Sequence, residues 1–198
     1  MKFIGITGGV GAGKSLVLSC LKEYEGTRVL LADEVGNLVK LPGQPCYAPL
    51  VSLLGQEVLD QDGRINREKM AARIFADREL LARVNEVIHP AVKEYILARV
   101  EEARREGRTK WFFLEAALLI EDGYEELVDE LWYIHADEAV RARRLEASRG
   151  YSQEKISRIF ASQLSEKEFR RHCRQVIENN GEEQAVREQV RRLMEKGE

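Results

Sequence analysis

Short apolar runs alternate with helically periodic stretches along most of this chain. Lys2-Phe3-Ile4-Gly5-Ile6-Thr7 reads as a buried strand. A glycine-rich stretch follows it, and then an apolar-periodic segment from Ser15 to Tyr24, punctuated by Gly26, predicts a helix. Val29-Leu30-Leu31-Ala32 reads as a second strand, ended by Asp33, and Trp111-Phe112-Phe113-Leu114 as a third, ended by Glu115. Leu131-Trp132-Tyr133-Ile134 is a fourth, and Val176-Ile177, ahead of Asn179-Asn180-Gly181, a weaker fifth. Strands that alternate with helices and carry continuous rather than alternating apolar residues predict an α/β fold. Its sheet should be mostly parallel and covered on both faces.

Two excursions interrupt that alternation. From about Pro45 to Gly107 the pattern is helical throughout, with Asp60-Gln61-Asp62-Gly63 as a turn and Pro90, after His89, as a break. This stretch reads as a helical insertion between strands two and three. Asp137 and Ser152 look like N-caps, and Ser165 with Glu168 fits a capping box, so residues 138 to 173 form a second helical excursion. The Glu/Arg-rich end from Glu182 to Glu198 reads as a solvated amphipathic helix.

Composition narrows the class. A chain of 198 residues that is 44% hydrophobic can bury one sizeable core with appendages but is short for two independent domains. A single domain is therefore expected: a core of about 1–40, 108–140 and 175–198, an insertion of about 41–107, and a lid of about 141–174. The net charge of −3 gives no global reason to expect nucleic acid or an anionic membrane as partner. Cys20, Cys46 and Cys173 lie far apart without a CxxC pair, against a disulfide framework or a zinc cluster. With neither a signal-peptide core nor an apolar run of membrane-spanning length, a cytoplasmic protein is expected.

The chemistry is carried by Gly8-Gly9-Val10-Gly11-Ala12-Gly13-Lys14-Ser15. Its GxxxxGK[ST] spacing lies between a predicted strand and a predicted helix, which is the context a phosphate-binding loop needs. Glycines let the backbone wind round phosphates with its N–H groups turned inward, and the helix N-terminus favours anions. Lys14 would reach the β- and γ-phosphates, Ser15 would offer its hydroxyl to Mg²⁺, and Leu16 follows in the first helical turn. ATP with Mg²⁺ is the expected ligand, and the chain reads as a P-loop kinase.

Ligands of parallel sheets gather beyond the carboxyl ends of the strands, which would place Asp33 and Glu115 beside the loop if strands two and three flank strand one. Asp33 is a candidate general base for an acceptor hydroxyl, and equally a candidate N-cap for a helix starting near Glu34. Between Arg141 and Arg174 lie eight Arg and two Lys against four Glu. Such a basic helical segment suits a lid closing over a transferring phosphoryl group, with Arg144, Arg149 and Arg158 as members. His89 would contact a substrate or satisfy a helix end. His135 and His172 show no metal-ligand spacing. Asp60-Gln61-Asp62-Gly63 matches the DxxG of GTPases, but no NKxD follows it.

Beyond the loop, Thr7-Gly8-Gly9, Ala32-Asp33, Pro42-Gly43-Gln44-Pro45 with Tyr47, and Asp62-Gly63-Arg64 leading to Arg67 share their order with one known family. So do Ile74-Phe75-Ala76-Asp77, His89-Pro90, Leu118-Leu119-Ile120-Glu121, Gln163 after Arg158, and Asn179-Asn180-Gly181. On these residues nearly the whole chain resembles the dephospho-coenzyme A kinases. The resemblance implies a five-stranded parallel sheet of the P-loop NTPase type with a helical substrate-binding region and a lid. It also implies transfer from ATP-Mg²⁺ to the ribose 3′-hydroxyl of dephospho-coenzyme A, in the last step of coenzyme A synthesis. Asp33 matches the family's proposed base, Arg144 and Arg149 its arginine-bearing lid, and Thr7, His89 and Glu115 fall on the substrate side. The chain departs from the family pattern at Leu31, Glu115, Ala117, Leu16 and Arg174. Kinases for another small hydroxyl acceptor and a nucleotide-binding regulator are the alternative readings, and a monomer or small homo-oligomer is expected.

Overall fold

The computed structural model describes residues 1–75 and 77–197. Ala76, within the Ile74–Asp77 motif, and Glu198, at the end of the expected C-terminal helix, lie outside the described residues. Five strands form one sheet: β1 (Lys2–Thr7), β2 (Thr27–Leu31), β3 (Trp111–Glu115), β4 (Glu130–His135) and β5 (Gln175–Glu178). Their order across the sheet is β2-β3-β1-β4-β5. β1 pairs in parallel with β3 and with β4, and β4 with β5. Consecutive residues of β1, β3 and β4 are buried almost without a break. Successive side chains point to opposite faces, so both faces of these strands are covered. β2 is half-buried along its length, as an edge strand should be.

The condition that strands two and three flank the first is met only by β3: β3 and β4 flank β1, and β2 lies beyond β3. Two consecutive apolar strands cannot reveal from sequence which of them sits beside the first, because both crossovers bury the same kinds of residue. Ile6 is in register with Glu115 across the β1/β3 pair, which sets Glu115 level with the start of the loop.

The chain divides into two compact units, residues 1–29 with 106–198, and residues 30–105. The first holds α1 (Lys14–Lys22), then α6 (Glu138–Arg149), α7 (Gln153–Ala161), α8 (Glu166–His172) and α9 (Glu183–Gly197). Its core is Phe3, Ile4, Ile6, Phe113, Leu114, Trp132 and Ile134, each at most 1% exposed. α1 packs against α9, and these helices bury Val17, Leu21, Val186 and Val190. Ser152 Oγ accepts from Lys155 N–H and Ser165 Oγ from Glu168 N–H, as the capping pattern predicts. Asp137 sits at the N-cap of α6, but its side chain makes no capping bond.

α8 is fastened to the sheet. Phe169 stacks on Tyr133 at 4.7 Å between ring centroids. His135 Nδ1 lies 2.5 Å from Glu178, and its Nε2 lies 3.4 Å from Glu166. His172 Nδ1 lies 2.7 Å from Glu125. Burial, with the Glu166 charge adding to it, pushes Tyr133 up to about 12. The two histidines that showed no metal pattern are thus structural partners of carboxylates.

The second unit holds α2 (Ala32–Leu38), α3 (Tyr47–Leu54), α4 (Arg67–Phe75) and most of α5 (Arg78–Glu106). It takes in α2, which the sequence reading assigned to the core. The stretch is not helical throughout: an antiparallel bridge between Leu59 and Ile65 flanks the Asp60–Gly63 turn. Asn66 Oδ1 caps α4 through the N–H groups of Glu68 and Lys69, both at 2.9 Å. Pro90 does not break the chain; α5 runs straight through it. A helix-interior proline removes one N–H bond. Pro90 lies on the exposed face, where solvent can take up the orphaned carbonyl, and Val84, Val92, Ile96 and Val100 bury the opposite stripe.

Candidate phosphate-loop site

The loop from Gly8 to Gly13 leaves the carboxyl end of β1 and enters α1 with Gly13 in the left-handed region at φ 87°. A Cβ at Gly13 would stand 2.1 Å from Asn179 Nδ2, so both backbone and space require glycine here. Among the described residues no side chain caps α1, which leaves its first amide donors and its positive end available to an anion. Lys14 Nζ donates to the Gly8 carbonyl at 2.9 Å and lies 3.4 Å from Glu115 Oε1. Both side chains are mostly buried, at 16% and 15% exposure. Ser15 is exposed in the first turn of α1, with Leu16 half-buried beside it.

Other elements brace the loop from outside. Asn179, 2% exposed just beyond β5, donates Nδ2 to the Ala12 carbonyl at 2.7 Å. Arg144, on α6, reaches the same carbonyl at 3.4 Å and donates to the Asn179 carbonyl at 2.9 Å. One turn earlier on α6, Arg141 Nε donates to the Val10 carbonyl at 2.9 Å. Burial pulls the Arg141 guanidinium down from its usual value.

The structure therefore gathers Gly8 to Leu16, Glu115 and Arg144 at one place in the first unit. Thr7 is fully buried at the end of β1, and its hydroxyl makes no hydrogen bond to the described residues. Arg149 is not at the loop. It lies exposed near the end of α6, 5.8 Å from the Tyr151 ring, which Lys155 also approaches. The axial rise from Arg144 to Arg149 is about 7.5 Å, enough to separate their reach. Arg158 is exposed on α7.

Asp33 and His89 belong to the second unit. Asp33 is not an N-cap: α2 begins at Ala32 with Leu31 as its N-cap residue, so Asp33 lies exposed in the first helical turn. There its charge favours the helix dipole without closing the end. Lys40, half-buried in the same unit, is pulled down by burial and by Arg67, with Cys46 and Asp33 opposing. His89 sits on the exposed face in the middle of α5, not at either of its ends.

Two bracing residues escaped assignment from sequence. Arg141 lay inside the basic segment but nothing in the pattern set it apart from its neighbours. Asn179 stood in a recognisable Asn-Asn-Gly turn without a stated role.

Comparison with known proteins agrees with this geometry. The family profile described as dephospho-CoA kinase matches residues 2–185. The dephospho-CoA kinase of Carboxydothermus hydrogenoformans is 32% identical over 99% of this chain and 94% of its own length. That of Corynebacterium efficiens is 36% identical over 96% of this chain and 94% of its own. A crystal structure from Thermus thermophilus superposes with a TM-score of 0.82 at 28% identity, covering 98% of this chain and 97% of the other. The chain belongs to the dephospho-CoA kinase family.

Proposed function

We propose that this chain transfers the γ-phosphoryl group of ATP to the ribose 3′-hydroxyl of dephospho-coenzyme A, giving coenzyme A and ADP. The observation that carries the reading is the glycine loop at the end of β1, with Lys14 held between the Gly8 carbonyl and Glu115. Phosphoryl transfer is chiefly a matter of positioning and charge neutralisation. Lys14 supplies the mobile positive charge, the uncapped start of α1 supplies amide donors, and Arg144 stiffens the loop wall from behind.

In this reading Asp33 accepts the proton of the acceptor hydroxyl, an assignment supported by its exposure in the first turn of α2 and by the family resemblance. His89 and Arg149 stay candidates for substrate and nucleotide contact. The Ser15 hydroxyl and the Glu115 carboxylate are hard oxygen donors, which fits them to Mg²⁺ held jointly with substrate phosphates. When bound, that cation would offset charge on the phosphate oxygens. A cytoplasmic location completes the reading.

The direct test is incubation with ATP, Mg²⁺ and dephospho-coenzyme A, with products separated chromatographically and the new phosphate placed by ³¹P NMR. Coenzyme A bearing a 3′-phosphate is expected. ADP released without coenzyme A, or a different acceptor preferred on screening, overturns the assignment.

A further inference from the structure

The tip of the phosphate loop is gripped on both sides of one residue. Val10 donates its N–H to Gln163 Oε1 at 3.3 Å, and its carbonyl accepts from Arg141 Nε at 2.9 Å. Arg141 Nη2 also donates to Gln163 Oε1, closing a ring of three hydrogen bonds among Val10, Arg141 and Gln163. The Arg141 guanidinium lies 4.2 Å from the centre of the Phe160 ring, close enough for a cation–π contact. Arg141 stands on α6, Phe160 on α7, and Gln163 just past the end of α7. The expected lid helices thus meet the loop at Val10 through a planar, partly desolvated guanidinium, that of Arg141.

Gly9 gives independent support. Its backbone does not lie in the left-handed region, so conformational need does not explain the glycine. A Cβ there would stand 2.4 Å from Arg141 Nη2 and 2.5 Å from its Cζ. Space for the guanidinium is what the missing side chain provides.

We propose that Arg141 and Gln163 form a latch that fixes the tip of the phosphate loop to the junction of α6 and α7, and so makes nucleotide affinity depend on where those helices sit. They are positioning residues acting through Val10. A bidentate fork suits the task because one planar group serves the Val10 carbonyl and the Gln163 amide oxygen together, which a lysine ammonium on a flexible stem holds less firmly. The proposal rests only on nucleotide binding at the loop, not on the identity of the acceptor.

The test measures ATP and ADP binding to the full chain by calorimetry, beside the KM for ATP, the KM for dephospho-coenzyme A and kcat. Gln163→Leu and Arg141→Met should each weaken nucleotide binding about tenfold, the scale of one charge-assisted hydrogen bond. The KM for dephospho-coenzyme A should stay within about twofold on the same scale. Gln163→Glu keeps an acceptor for both donors and should restore near-native affinity, whereas Arg141→Lys should not. Gly9→Ala should weaken binding in the native background and add nothing in an Arg141→Met background, because the group it displaces is already gone. Unchanged nucleotide affinity in folded Gln163→Leu, or equal loss for both substrates, overturns the latch. So does additivity of Gly9→Ala with Arg141→Met. Should wild type bind ATP yet fail to phosphorylate dephospho-coenzyme A, the acceptor assignment falls, and the binding arms still decide the latch.

Discussion

Lys14 Nζ lies 3.4 Å from the carboxylate of Glu115: Lys14 opens α1 directly after the phosphate loop, and Glu115 ends β3, the parallel neighbour of the strand that leads into that loop. With 16% and 15% of their side chains exposed, the pair is poorly screened by solvent. Glu115 therefore holds the lysine ready beside the Gly8 carbonyl instead of leaving it to wander. Lys14→Ala should lower turnover about 10²–10³-fold, the scale on which one aimed donor stabilises developing charge. Glu115→Gln, which keeps the shape and removes the charge, should cost about tenfold, the equivalent of one hydrogen bond to a charged group. Steady-state kinetics with ATP varied checks both, and a Lys14→Ala enzyme near wild-type rate contradicts the arrangement.

Asp33 offers a separable test, because the structure removes the capping role that competed with catalysis in its interpretation. Asp33→Asn keeps the size and the helix position but lacks a proton acceptor. Turnover should fall about 10²-fold or more. ATP binding by calorimetry should be unchanged, since Asp33 lies outside the residues that form the loop. A thermal midpoint close to wild type would show that the loss is chemical.

Much of this was legible in the sequence for physical reasons that can be named. The loop announces itself because its geometry demands glycines at set positions and a lysine at a set offset. Strands buried on both faces read as continuous apolar runs, and all five were found within a few residues. What stayed hidden were matters of neighbourhood. Strand order is not written in a run of apolar residues, so whether strands two and three flank β1 stayed a condition, and β2 lies at the edge. Arg141, Arg144 and Arg149 look alike on one helix, yet only the first two reach the loop. Pro90 carries a strong local signal, which the long buried stripe of α5 overrides.

Gly13→Ala should be among the most damaging single changes in the loop. The alanine would hold a left-handed φ of 87° and place its Cβ 2.1 Å from Asn179 Nδ2, the group that supports the Ala12 carbonyl. Backbone strain of this kind costs about 1–3 kcal/mol. Urea unfolding should register that loss, and nucleotide affinity should fall with it. Adding Asn179→Ala should relieve the steric part but not the strain, so stability recovers only partly in the double variant. Full recovery would show that φ carries no cost at this position.

Cys173 makes stability depend on pH in the alkaline range. The residue is 8% exposed, and burial, helped by the nearby Glu125 charge, pushes its thiol up to about 12 from a model-compound value of 9.0. The native state therefore favours the neutral thiol. That contribution is complete below pH 9.0, where the unfolded chain also keeps its proton, and it is lost as pH rises toward about 12, because only the unfolded chain then ionises. Across that window this one thiol removes up to about 1.4 kcal/mol per pH unit. Burial also raises Cys20, Cys46 and Tyr133, so the slope has several contributors. Cys173→Ala should flatten the fall in urea midpoint between pH 9 and 11 without abolishing it. Below pH 8 the variant should show only the small cost of a trimmed core side chain. Native Cys173 should also resist iodoacetamide at pH 8, where its thiolate is scarce, and mass spectrometry of the alkylated peptides reads this directly. An unchanged alkaline slope in the variant, or rapid labelling of the folded wild type, would contradict the assignment.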